Sequence, residues 1–166
     1  MDTMSKSSTQ VAERELFIER IFNAPVELVW QAWTDPEQVK RWWGPQDFTA
    51  PVVKIDFKVG GKYFYCMRSP EGQDYYSTGF YREIVPLERI VCTDCFADEN
   101  GNVVPATHYG MGPDIPLELL ITVTFEDLEG RTKLTLRHRG FPPGEMKDLC
   151  EVGWNQSFDK LADSLR

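Results

Sequence analysis

Between Phe48 and Phe96 the chain offers FTAPVVKIDFKV, KYFYCMR, YYSTGFYREIV and RIVCTDCF. These four strand-forming runs are divided only by Gly60-Gly61, Ser69-Pro70-Glu71-Gly72 and Pro86-Leu87-Glu88. Turns this short join antiparallel neighbours, so the pattern predicts a meander and leaves no room for the crossover helices of a parallel sheet. Two further strands follow. Leu119, Ile121, Val123 and Phe125 alternate with Glu118, Thr122, Thr124 and Glu126, with only Leu120 apolar on the second side. After the turn Leu128-Glu129-Gly130, Leu134 and Leu136 alternate with Lys133, Thr135 and Arg137. One face of such a sheet is wet, and the other needs an apolar cover.

The cover comes from the end of the chain. Gly144 to Arg166 is the longest helical pattern, with Met146, Leu149, Cys150, Gly153, Trp154, Ser157, Phe158, Leu161, Ala162 and Leu165 on one stripe. Two members are small for a buried face. A glycine inside a helix costs about 1 kcal/mol relative to alanine, and Gly153 with Ser157 fills little volume between Trp154 and Phe158. Either the sheet approaches closely there or a space is left.

Ahead of the meander, residues 1–12 carry no periodicity and are expected to form a disordered tail before a single domain spanning 13–166. ELFIERIF, residues 15–22, reads as a strand. Pro25 then fits the first position of a helix whose apolar face is Val26, Val29, Trp30 and Trp33. Asp35 is placed as the N-cap of a second short helix, with Pro36 in its first turn and Gln38 in the capping-box position, and Gly44-Pro45 ends it. That helix carries Trp42 and Trp43 side by side. Neighbours on a helix point about 100° apart, so both indoles cannot share one narrow stripe.

The chain has 166 residues, about one domain's worth. A formal net charge of −8 repels nucleic-acid phosphates and anionic membrane surfaces, so neither is an expected partner. The polar start MDTMSKSSTQVAERE lacks a secretion signal's apolar core, and a cytoplasmic location is expected. Cys92 and Cys95 have CxxC spacing, but in a strand these positions face opposite ways; with Cys66 and Cys150 they are read as free thiols in a reducing compartment, with no metal site.

GxSxG, HExxH, P-loop and dinucleotide fingerprints are missing from the sequence, and no helix follows Gly60-Gly61 to hold a phosphate, so no cofactor is expected. Two groups remain as candidate bases. His108 lies in the stretch from Ala97 to Pro116, a loop of about twenty residues of the kind that is usually functional or disordered. There it could fold over a cavity mouth beside Tyr109 and Met111. Asp56, before Gly60-Gly61, is either a buried acid or a turn-stabilising carboxylate. His138, between Arg137 and Arg139, reads as a surface or strand-end residue.

In its order of elements the chain resembles the SRPBCC or START-like superfamily, whose helix-grip fold is shared with the birch-pollen allergen. It looks closest to the domain family named after the activator of the 90-kilodalton heat-shock-protein ATPase. The resemblance is carried by FNAPVELVWQAWTDPEQVKRWWGP at 22–45, IDFKVGGKY at 55–63, MRSPEG at 67–72, GFYREIVPLERIVCT at 79–93, and Trp154. It implies an α+β helix-grip fold: a curved antiparallel sheet of about seven strands wrapped around the long C-terminal helix, two short helices between strands 1 and 2, and an apolar cavity.

The likeness puts Trp42 and Trp43 at the open end of that cavity. Val39, one turn before Trp42, makes Trp42 the core member and Trp43 the cavity member. Tyr63, Tyr65, Met67, Tyr81 and Phe96 are the expected walls from the sheet, His108 and Met111 from the loop, and Trp154 and Phe158 from the helix. Packing between sheet and helix accounts for any one of them equally well.

The superfamily holds binders, cyclases, oxygenase subunits and co-chaperones, so the fold does not choose among them. Binding of a hydrophobic or aromatic small molecule, with the 97–115 loop as lid, ranks first. A cavity-based enzyme, cyclase- or hydrolase-like and using His108 or Asp56, ranks second. A co-chaperone-like interaction module, suggested by the family name, ranks third, since only a short polar tail is expected ahead of this domain where the eukaryotic activator has a second one. A homodimer through an exposed sheet edge or the aromatic rim is compatible with the sequence.

Overall fold

The computed structural model describes residues 15–142 and 144–166; the expected tail, residues 1–12, lies outside them. Strand β1 (Glu15–Phe22) leads into helices α1 (Val26–Thr34) and α2 (Pro36–Val39). Strands β2 (Thr49–Ile55), β3 (Lys62–Arg68), β4 (Asp74–Val85) and β5 (Arg89–Ala97) follow. A 3-10 turn (Ala106–Tyr109), strands β6 (Leu119–Asp127) and β7 (Thr132–Arg139) and helix α3 (Glu145–Ser164) complete the order.

The seven strands make one antiparallel sheet in the order β1-β7-β6-β5-β4-β3-β2. From β2 to β7 it is the meander that the short turns dictate. β1 closes the far edge on β7 with Ile18 opposite Leu136, which in turn faces Val123 of β6. Register shifts in β2 between Thr49 and Val52, and between β4 and β5 at Tyr81/Glu83, insert bulges that bend the sheet. The helix-grip α+β fold implied by the resemblance is the fold observed.

The paired tryptophans sit just past α2. This helix is one turn long, stopping at Val39 short of the predicted Trp43, but its hydrogen bonding continues because the N–H groups of Trp42 and Trp43 both donate to the Val39 carbonyl, at 3.2 and 3.0 Å. Asp35 caps the helix by accepting from Glu37 N at 3.0 Å, so the capping box expected with Gln38 is replaced by a tighter local bond. Trp42 is fully buried and its indole N–H donates to Ala32 O at 2.9 Å, while Trp43 is only half-buried. The two indoles therefore divide as their angular separation requires.

Helix α3 is held unevenly. Its second half is pinned: Phe158 and Leu161 are fully buried, and Arg20 of β1 reaches Asp159 at 2.7 Å and Asn155 Oδ1 at 3.1 Å. The Lys160 ammonium donates to the carbonyls of Trp43, Pro45 and Phe48 at 3.5, 3.2 and 3.1 Å. Ahead of Trp154, no side chain of the helix is tied to the rest of the fold by a hydrogen bond or ion pair among the described residues. Leu149 is 65% exposed, against its expected place on the inner stripe, and Val152 is 56% exposed. The sequence period continues through Leu149, but the sheet does not lie beneath it; what lies there is open space.

Candidate functional site

The space under the first half of α3 is a hollow of about 330 Å³, within the size range of small-molecule sites. The sheet supplies Met67 from β3, Asp94 and Phe96 from β5 and His138 from β7. The loop after α2 supplies Trp43, Gly44 and Pro45, and Met111 comes from the long loop. Met146, Leu149, Cys150, Gly153, Trp154 and Ser157 close the helix side. All the methionines of the described residues, Met67, Met111 and Met146, face this one space. Thioether side chains adapt their shape at small cost, so these walls can close on occupants of different outline.

The residues singled out from the sequence are divided by the structure. Trp43, Met67, Phe96, Met111 and Trp154 line the hollow. Tyr63, Tyr65 and Tyr81 lie deeper, around a separate void of about 20 Å³ shared with Trp33, Trp43 and Trp154, space for about one water molecule. Phe158 lines neither; it is fully buried, with Phe22 edge-on at 6.0 Å and Trp33 tilted at 6.2 Å. At this level α3 is joined to α1 and the segment after α2, because Trp33, Trp42, Trp43 and Trp154 form a closed ring of contacts at 4.7, 5.6, 5.4 and 6.2 Å.

Ser157 does not open space either. Its hydroxyl is buried and lies 2.8 Å from Gly44 O and 3.0 Å from Gly153 O, so it ties the loop to the helix. Gly153 does keep its side of the hollow low, since a Cβ there would first meet Pro45, at 3.5 Å.

The two candidate bases stand outside. His108 is exposed on the 3-10 turn and packs on Tyr109 at 4.9 Å, so it does not fold over the mouth. Asp56 belongs to the β2–β3 turn, with its backbone accepting from Lys58 N at 2.9 Å and its side chain 61% exposed near the Lys58 ammonium. It is a turn residue, not a buried acid. The loop that carries His108 is anchored: the Tyr109 hydroxyl bonds to Ala97 O and accepts from Tyr76 N at 3.1 Å, and Val104 N donates to Phe96 O at 3.0 Å. Its last part, Ile115 to Leu117, walls a side recess of about 50 Å³ that shares Asp94, Phe96, His138, Met146 and Cys150 with the hollow.

The group that sequence reading missed is His138. It is 4% exposed rather than a surface residue, because strand alternation carries the inward face of Leu134 and Leu136 on to it. Both ring nitrogens are engaged. The Trp154 indole N–H donates to Nδ1 at 3.1 Å, and Nε2 lies 2.9 Å from Asp94 Oδ2. An indole nitrogen can only donate, so Nδ1 is the acceptor and Nε2 carries the proton. The ring is held as the neutral Nε2–H tautomer, and Asp94 receives its hydrogen bond without a counter-charge.

Around this carboxylate the other acids stay protonated. Burial, then the Asp94 charge, pushes the Cys150 thiol up to about 12, and the same two causes raise Cys92 and Tyr63 well above their ordinary ranges. Cys95, on the same strand, is raised to about 11 by burial and Asp94. None of these thiols is poised as a thiolate nucleophile at neutral pH. The site is thus an apolar hollow with one carboxylate, a neutral histidine behind it and no activated nucleophile among the described residues.

The chain matches the profile of the family described as Activator of Hsp90 ATPase homolog 1-like protein over residues 23–166. Among solved structures it is similar to a protein from Chromobacterium violaceum, 29% identical with a TM-score of 0.76, covering 92% of this chain and 96% of that one. A protein from Arthrobacter aurescens is 28% identical with a TM-score of 0.78, covering 93% and 87%. The AHSA1 protein from Silicibacter pomeroyi is 26% identical with a TM-score of 0.72, covering 91% and 96%. Among curated proteins none matches. No helix among the described residues is long and apolar enough to cross a membrane.

Proposed function

The chain belongs to the family of Activator of Hsp90 ATPase homolog 1-like proteins, and from that premise we propose that it binds an apolar small molecule in the hollow beneath the first half of α3. The observation that carries this reading is the hollow itself: about 330 Å³, walled by two indoles, three thioethers and Phe96, in a helix-grip fold whose helix buries Phe158 and Leu161 fully in its second half. A protein that needed only a core would bring Leu149 down onto the sheet, because each buried aliphatic side chain stabilises by roughly 1.5–3 kcal/mol. Here Leu149 stands in solvent at the rim and Met146 is half-buried.

Thermal-shift titration with apolar ligands of graded size tests the proposal, since a ligand that binds only the folded chain raises the melting temperature by mass action. Gly153→Leu, which places a side chain into the hollow, should abolish that rise while the protein stays folded. Equal shifts in the parent and in Gly153→Leu would place binding elsewhere and defeat the reading.

A further inference from the structure

Apolar walls do not explain Asp94. Its side chain is 23% exposed and opens on the hollow; it is the only formally charged group in the lining among the described residues. Oδ2 takes the His138 proton, and Oδ1 has no hydrogen-bond partner among the described residues. No arginine or lysine of the described residues pairs with it, and the tautomer that Trp154 imposes on His138 removes the one nearby group able to bring a positive charge. A largely buried carboxylate without a counter-charge is costly, and the cost is met when an opposite charge arrives.

Resting on the binding function proposed above, we infer that the hollow selects a hydrophobic amine in its protonated form, its ammonium against Asp94 Oδ1 and its apolar body among Met67, Met111 and Met146. Two further features favour a cation over a neutral donor. Trp43 and Trp154 present indole rings to the same space, 5.4 Å apart and edge-on to one another, and indole faces attract ammonium groups. The chain's net charge of −8 also concentrates cations near its surface.

Isothermal titration of three isosteric probes, phenylbutylamine, phenylbutanol and phenylbutyrate, decides the matter at neutral pH. The amine should bind more tightly than the alcohol by on the order of tenfold, as expected for a charge-assisted hydrogen bond, and the acid should bind most weakly. In Asp94→Asn the amine should lose its advantage, the ratio of amine to alcohol affinity falling from on the order of tenfold to about one. Equal affinities of amine and alcohol in the parent protein, or a preference for the acid, would overturn the anchor while leaving the hollow as a binding site. No heat from any of the three probes would overturn both. The ranking in the parent protein is decisive by itself, so the inference stays testable if Asp94→Asn does not fold.

Discussion

Replacing Gly153 by alanine should make the protein more stable and its ligand site worse. Gly153 lies in the interior of α3, where alanine is favoured over glycine by about 1 kcal/mol. The added methyl would first meet Pro45 Cγ at 3.5 Å, an ordinary van der Waals contact, so no strain offsets the gain. The expected increase is about 0.5–1 kcal/mol, or a rise of about 1–4 °C in melting temperature for a domain of this size. Urea denaturation measures it: the midpoint should rise with the slope unchanged. The same methyl stands on the wall of the hollow, so apolar ligands should bind more weakly to the more stable variant. A loss of stability greater than about 0.5 kcal/mol would show that Pro45 cannot yield and that loop and helix are already sealed at this level, which would refute the argument for an open wall.

Trp42→Phe forfeits the bond to Ala32 O and leaves a gap, so it should cost at least about 1 kcal/mol. Trp33→Phe should cost less, because the Trp33 indole N–H is buried without a partner and its removal relieves an unmet donor. Equal losses in denaturant titrations would contradict that ranking. His138→Leu strands the Trp154 N–H and Asp94 Oδ2 and should destabilise by about 1–3 kcal/mol, where a surface histidine would register within about 0.5 kcal/mol. Stability should also fall as pH rises above about 9. Cys92, Cys95 and Cys150 have raised values in the folded state, with Cys95 near 11 and Cys150 near 12, so above the ordinary thiol range the unfolded chain releases protons that the folded chain keeps. Tyr63, Tyr65 and Tyr81 add to this at higher pH, and a flat denaturation midpoint between pH 8.5 and 11 would refute it.

Local chemistry made the scaffold readable. Turn residues at 60–61, 69–72 and 128–130 set the hairpins, and the 100° rule separated Trp42 from Trp43 before any fold was assumed. The site was readable only in part, because its pieces meet across the sheet. The period-two pattern of Leu134 and Leu136 already pointed His138 inward, but the flanking Arg137 and Arg139 argued for a surface and prevailed in the sequence reading. Nothing local says that Asp94 of β5 and His138 of β7, separated by the whole of β6, lie 2.9 Å apart, or that Trp154 arrives from the helix to complete the pair. The misplacement of Leu149 and Phe158 has one physical source. A helical stripe shows which side of a helix is apolar, but not how far along its length the sheet continues.

The closed ring of Trp33, Trp42, Trp43 and Trp154 has an optical consequence. Indoles a few ångströms apart exchange excitation faster than they emit, so light absorbed anywhere in the ring leaves from its lowest-energy member. Two of the four look into the hollow, so a molecule bound there would alter the colour and yield of that emission, and the intrinsic fluorescence would serve as a gauge of occupancy.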